Sequence, residues 1–305
     1  MKTSPETRGP LNPGPLNPEP SCSGCGHAAM GEYTRMAVLS VNETTTFRWS
    51  FEEDVANYLA AGIPAIGVWR QKLSDCGEEK AADLLQECGL RVSHLFWAGG
   101  FTGSDGRSFR TSVEDAEEAL RTAASLGAES LVVYSGARAG HTHNHARRLF
   151  KDALVELAVL AGELNVALAV EPMHPACAAE FTFLTSLDEV LALIDSVGSP
   201  QIKLALDTYH LGFDPNLVAR IPKIVSRVAL VQLGDAKVPP KEEQNRCRLG
   251  EGVIPLREIV DALRAAGYDG FYDVELLGEE IETADYALLL RHAQEAYARL
   301  VEERV

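Results

Sequence analysis

Four oxygen-bearing side chains stand at or near the ends of apolar runs late in the chain: Glu171 in VALAVEP, Asp207 in IKLALDT, Gln232 in RVALVQL and Glu275 in GFYDVEL. An ionised carboxylate is almost never buried without a cation or a donor beside it. One acid at such a place often just begins a solvated loop, and a lone Gln on a strand is most often a hydrogen-bonding filler. Recurrence over four successive runs points instead to one shared site. Three clustered carboxylates stay ionised together only if a cation neutralises them, so the set itself argues for a metal.

Chemistry at the ends of apolar runs needs a fold that brings those ends together. From Met36 the chain alternates short apolar runs with longer amphipathic ones. Eight runs read as strands: MAVLSV, AIGVW, RVSHLFW, SLVVYSG, VALAVEP, IKLALDT, RVALVQL and GFYDVEL. Helical segments between them include SFEEDVANYLAAG, EEKAADLLQECG, SVEDAEEALRTAASLG, HARRLFKDALVELAVLAGELN and LREIVDALRAAG. Several close on a glycine, as helix C-termini do. Ser50, Ser112 and Ser186 stand at N-cap positions, with Glu53, Asp115 and Glu189 three residues later as a capping box prefers. Strands apolar nearly throughout and spaced by helices indicate a parallel sheet covered on its faces. Eight such units favour a closed (β/α)8 barrel, whose C-terminal strand ends converge on one mouth where such enzymes hold their chemistry.

The chain of 305 residues is long enough for one such barrel, which takes about 250 residues. Its formal charge of −16, from 44 acidic against 28 basic side chains, repels a phosphate backbone and argues against nucleic acid as a partner. No uninterrupted apolar span of about 20 residues stands out, and no leader pattern, so the expectation is a soluble, cytoplasmic protein. Six scattered cysteines are too few for a disulfide scaffold and read as mostly reduced thiols. Residues 1–34 are rich in Pro, Gly, Ser and Asn and read as a mobile tail, leaving 35–305 as the single barrel domain. Cys22, Cys25 and His27 in that tail lack the further ligands that a structural zinc site needs.

The stretches AVEPMHP, LALDTYHLG, LVQLGDAK, NRCRLGEG and YDVELLG together resemble the sugar phosphate isomerase/epimerase superfamily, the xylose isomerase-like TIM barrels. The resemblance covers about Met36 to Arg304 and leaves the tail out. It implies a divalent metal held by Glu171, Asp207, the residue at 232 and Glu275. Many members have His where this chain has Gln232; the amide leaves an all-oxygen set that suits Mn²⁺ or Mg²⁺ better than Zn²⁺ or Co²⁺. His210, three residues after Asp207, matches a family His that contacts substrate or metal-bound water. Arg246, four residues before Gly250, matches a family Arg that reaches a substrate oxygen. The resemblance also makes a small sugar or polyol the partner, and homo-oligomers common.

The activity implied is isomerisation or epimerisation of a hydroxyketone, with Glu171 and Glu275 as base and acid on opposite sides of an enediolate. The same fold also hosts dehydratases of inosose or 3-dehydroshikimate, lyases that share the metal, and some of these carry Gln at the third ligand position. An apurinic endonuclease needs a phosphate-binding surface that this acidic chain does not offer, and a non-catalytic metal-binding barrel fits poorly while all four ligand positions carry coordinating groups. Further pocket candidates are Trp69 at the end of its strand, His94 late in the third, His174 behind Glu171, and His141 in GHTHNH, where His143 and His145 read as the same polar loop. Lys203 and Lys237 are candidate phosphate anchors.

Overall fold

Along every strand the side chains divide between two surroundings, and that division builds the site. The computed structural model describes residues 37–301. The expected tail and its Cys22, Cys25 and His27 lie outside the described residues. The first half runs β1 (Val38–Asn42), a 3₁₀ turn (Glu43–Thr46), α1 (Phe51–Ala61), β2 (Ala65–Trp69), α2 (Arg70–Cys76), α3 (Glu78–Cys88), β3 (Arg91–Ala98), α4 (Phe109–Ser125) and β4 (Ser130–Val133). The second half runs α5 (His143–Leu164), β5 (Ala167–Val170), α6 (Leu187–Val197), β6 (Ile202–Asp207), α7 (Thr208–Leu211), α8 (Leu217–Ile224), a 3₁₀ turn (Val225–Arg227), β7 (Val228–Leu233), α9 (Leu256–Ala265), β8 (Phe271–Val274), α10 (Glu279–Glu282) and α11 (Tyr286–Val301). Each strand pairs in parallel with the next and β8 closes on β1, the (β/α)8 barrel that the alternation predicts.

Leu131 and Val133 of β4, Leu204 and Leu206 of β6, and Tyr272 and Val274 of β8 pack outward against the helices. The alternate residues Val132, Tyr134, Leu230 and Phe271 form a separate inner cluster. This period of two sends Glu171, Asp207, Gln232 and Glu275 inward with them. One layer deeper lies a second polar set. His94 is fully buried, its Nε2 3.2 Å from Asn42 Nδ2 and its Nδ1 3.0 Å from Ser93 Oγ. Its Nε2 is 3.9 Å from Asp273 Oδ2. Burial pushes the His94 pKa down to about 3, so the ring is neutral. Gly67 makes room for this layer: a Cβ there would lie 2.4 Å from His94 Cε1 and 2.9 Å from Asp273 Oδ1.

At the mouth end of β1, Lys72 donates to the carbonyls of Glu43 (3.0 Å) and Thr46 (2.9 Å) and to the Asp54 carboxylate. Glu43 Oε2 accepts the Trp69 N–H at 2.7 Å. Burial, then the neighbouring Asp54, holds the Glu43 carboxyl well above its usual range, and burial pushes Asp54 up to about 6. The group is structural: it ties the first turn, α1 and α2 into one corner.

Local details differ from the expectations. Ser50 and Ser186 cap α1 and α6, and Ser50 completes its box with Glu53. Ser112 does not cap a helix: α4 begins earlier, with Ser108 as its cap, and Ser112 Oγ donates to the Gly100 carbonyl. Asp115 accordingly pairs with Arg70 and Arg107. His143 and His145 are in the first turn of α5, capped by Thr142, so only His141 stays in the loop. No helix among the described residues is long and apolar enough to cross a membrane.

Candidate active site

Glu171 and Glu275 each follow the last residue of their strand, Asp207 ends β6, and Gln232 is the penultimate residue of β7. All four are buried. The fold thus gathers the sequence-derived set at the C-terminal mouth, supplied by four adjacent strands.

Arg246 is the cation among them, fully buried on the loop between β7 and α9. Its Nη2 donates to Asp207 Oδ2 (2.8 Å), Glu275 Oε1 (3.3 Å) and Gln244 Oε1 (2.8 Å), and its Nη1 to the Glu275 carbonyl (3.0 Å). Burial opposes its charge, but Asp207, Glu275 and Glu171 outweigh that and hold the guanidinium firmly protonated. Asp235 fixes the loop that carries it: its carboxylate accepts the backbone N–H groups of Gly250 (2.8 Å) and Gly252 (3.0 Å).

One guanidinium does not balance three carboxylates. Burial, then Glu275 and Asp207, keeps the Glu171 carboxyl well above its ordinary value; burial likewise pushes Glu275 up to about 7, against the pull of Arg246. Tyr134, just beyond β4, donates from its hydroxyl to Glu171 Oε2 at 2.7 Å. Glu171 Oε1 is left buried without a partner. Gln232 donates through Nε2 to Glu275 Oε2, which orients the amide and leaves its Oε1 equally unpartnered. Two orphaned buried acceptors beside uncompensated carboxylates are what a divalent cation with oxygen ligands would satisfy.

His210 lies between Glu171 Oε1 (3.7 Å) and Asp207 Oδ2 (3.8 Å), close enough to make Glu171, Asp207 and His210 one ligand-like cluster. The hydrogen bonding separates it from the carboxylates. The His174 backbone N–H donates to His210 Nδ1 at 3.2 Å, and burial pushes the imidazole pKa down to about 3. A neutral ring accepting at Nδ1 carries its proton on Nε2. Nε2–H is therefore a donor aimed into the cluster, without a partner of its own.

The other sequence candidates are dispersed. His174 touches the cluster through its backbone alone, and its Nδ1 accepts from Ala176 N–H. His94 is in the deeper layer described above. Trp69 is half-buried and packs on the inner apolar cluster. The His141 ring lies tilted by 42° against that of His145, with centroids 4.7 Å apart. Lys203 lines a cavity of about 400 Å³ with Glu129, Tyr268 and Gly270, residues at the opposite end of the barrel, and Lys237 pairs with Glu280 on the surface.

Sequence reasoning missed Tyr134, Gln244 and Thr45. Tyr134 had a signal, a phenol at the end of the apolar run SLVVY; Thr45 had none. Thr45 Oγ1 donates to the Val274 carbonyl (3.1 Å) and accepts the Leu276 N–H (2.9 Å), bracketing Glu275 from across the β1–β8 seam. Thr45→Val keeps the shape and removes both bonds; a roughly tenfold to hundredfold fall in kcat with KM held is expected. Thr45→Ser should restore it. Equal losses in both variants would mean that packing, not the hydroxyl, matters.

Comparisons with known proteins agree with this fold. The family model described as xylose isomerase-like TIM barrel matches residues 55–299. A D-psicose 3-epimerase of Enterocloster bolteae is 33% identical over 118 residues, 38% of this chain and 36% of that protein, so the match spans about a third of the relative's length. A candidate hydroxypyruvate isomerase of Streptomyces coelicolor is 28% identical over 235 residues, 71% of this chain and 81% of that one. Among solved structures, a protein of Sinorhizobium meliloti 1021 superposes with a TM-score of 0.81 at 28% identity, covering 87% of this chain and 98% of its own. The IolI protein, solved with a zinc atom, shares the fold with a TM-score of 0.75 at 18% identity over 87% of this chain and 98% of its own.

Proposed function

The chain belongs to the xylose isomerase-like TIM barrel family, and on that footing we propose that it is a divalent-cation-dependent sugar isomerase or epimerase acting on a hydroxyketone. The observation that carries the reading is the buried set of three carboxylates facing one guanidinium, with Glu171 Oε1 and Gln232 Oε1 unpartnered. Glu171, Asp207, Gln232 and Glu275 would hold the cation, and their oxygens suit Mn²⁺ or Mg²⁺. When bound, the cation supplies a Lewis acid that polarises the carbonyl of the substrate.

The chain's own groups do the rest. Glu171 and Glu275 project from β5 and β8, the two ends of the four-strand arc, so one can take a proton from the carbon beside the carbonyl while the other returns one from the far side. Tyr134 holds Glu171 Oε2 and so fixes the orientation of the carboxylate. Arg246 and the Nε2–H of His210 face the negative charge that develops on the substrate oxygen. Return to the same carbon epimerises; return to its neighbour isomerises. The names of the relatives, a psicose epimerase and a candidate hydroxypyruvate isomerase, support this class of reaction.

The test is proton NMR in D₂O with pooled ketohexoses, hydroxypyruvate, inosose and 3-dehydroshikimate and the Mn²⁺-loaded protein, the ion being removed before the spectrum. Deuterium entering the carbon beside a carbonyl, with all hydroxyls kept, is the expected result. Vinylic or aromatic signals would show water loss and replace the isomerase with a dehydratase.

Cation binding should also be linked to pH. Burial keeps Glu171 protonated well above the usual range and puts Glu275 near 7, so a cation entering near neutral pH displaces protons. Because both folded-state values are raised, affinity rises with pH, by up to about tenfold per unit for each proton released. Calorimetric titration of Mn²⁺ in buffers of different ionisation enthalpy reads the release directly. A pH-independent Kd with no proton release would remove these glutamates from the ligand set.

A further inference from the structure

We infer that the mouth of this barrel selects uncharged polyhydroxylated ketones and turns away phosphorylated or carboxylated ones. This deepens the isomerase or epimerase reading, on which it rests, by fixing the charge of the substrate. A cleft of about 580 Å³ is lined by the loops after β5, β7 and β8 and reaches Cys177 and Gln244, the first 3.9 Å from His210 Nδ1 and the second hydrogen-bonded to Arg246, so it lies at the mouth beside the residues that flank the carboxylate cluster. Glu180, Glu242, Glu243 and Glu282 line it, all exposed, and no lysine or arginine is among its lining residues. Phe181 lines it too, with its ring edge on Trp97 and close to Tyr134.

The charges inside hold no spare cation for a phosphate or carboxylate group. Arg246 is already engaged by Asp207, Glu275 and Gln244. Arg246 together with a divalent cation only balances the three carboxylates, which leaves no surplus positive charge for a phosphate or carboxylate. The nearest lysines do not line the cleft. Lys237 and Lys241 line an adjoining groove of about 190 Å³ that also touches Glu243 and Arg246, where Lys237 is paired with Glu280; Lys203 is at the other end of the barrel. An anionic substrate entering past four carboxylates meets like charge whose field the cleft focuses. A neutral sugar meets no such repulsion, and the Phe181 face packs on its C–H groups.

The experiment pairs each D-ketohexose with its 6-phosphate, using the full Mn²⁺-loaded chain. Solvent deuterium exchange gives kcat/KM, and calorimetry gives binding to both the loaded and the cation-free protein. The expected result is at least a tenfold preference for the uncharged member at low salt, in exchange and in binding. The gap should narrow with added salt and in a Glu242→Gln/Glu243→Gln variant, whose use of the uncharged sugar stays as in the parent. Equal or better binding of the phosphates, or no binding of any uncharged sugar, overturns the inference. Tight binding of the uncharged member without exchange upholds the charge selection and overturns the isomerase reading instead.

Discussion

Glu275→Gln is expected to lower turnover by about 10²–10⁴-fold, the range that a positioned acid or base contributes, while the fold survives. The substitution is nearly isosteric: the amide oxygen still accepts from Arg246, the new NH2 needs only a turn of the Gln232 amide to find its oxygen, and the Thr45 bracket holds the backbone. Because burial pushes the Glu275 pKa up to about 7, a neutral amide at this position resembles the protonated form that is well populated near neutral pH. The melting temperature should therefore change little while solvent exchange of the substrate proton collapses. Glu171→Gln should behave in the same way, with the Tyr134 hydroxyl still donating to the amide oxygen. Unchanged turnover in either variant removes that glutamate from the chemistry, and a collapse in melting temperature would reassign it to structure.

Arg246→Met should do the reverse, costing stability first. The side chain is fully buried and donates to Asp207, Glu275, the Glu275 carbonyl and Gln244, so its loss strands carboxylates in a site already short of positive charge. Breaking a buried pair by removing one partner costs about 3–5 kcal/mol. For a domain of this size that is a drop of roughly 10 °C in melting temperature. Mn²⁺ at about a hundred times its Kd returns about 2.7 kcal/mol by mass action, so the variant should lean on the ion more than the parent does. Melting curves with Mn²⁺ and with a chelator read both effects. A variant as stable as the parent in chelator would mean that Arg246 is not what offsets these acids.

The barrel and its four inward groups were legible in the sequence because parallel strands covered on both faces are apolar almost throughout. A carboxylate at the end of such a run stands out, as Glu171 does after VALAV. What was not legible is height within the barrel. His94 stands late in its own strand, yet it is in register with Ser130, the first residue of β4, because the strands of a closed barrel are staggered. Position along one strand therefore cannot say whether a residue reaches the mouth. Ser112 was misread for a related reason: its spacing to Asp115 satisfies a capping box, but so early a stretch of an amphipathic helix does not reveal that Ser108 caps it first. The tautomer of His210 is set by a backbone N–H from the loop after β5, a contact between residues 36 apart that no local pattern announces.

The ring order of the strands has a consequence for descent. The proposed chemistry occupies one half of the ring, β5 to β8, and each outer glutamate of that arc is steadied by a hydroxyl from the other half: Tyr134 across the β4–β5 boundary and Thr45 across the β8–β1 boundary. A recombination event that exchanged the first half of the gene for that of another barrel would bring in new loops after β1 to β4 and, with them, new substrates. It would leave the reaction intact only if the incoming half carried hydroxyls at those two boundary positions. Diversification by shuffling halves is thus open to this architecture, and its toll is two oxygen atoms.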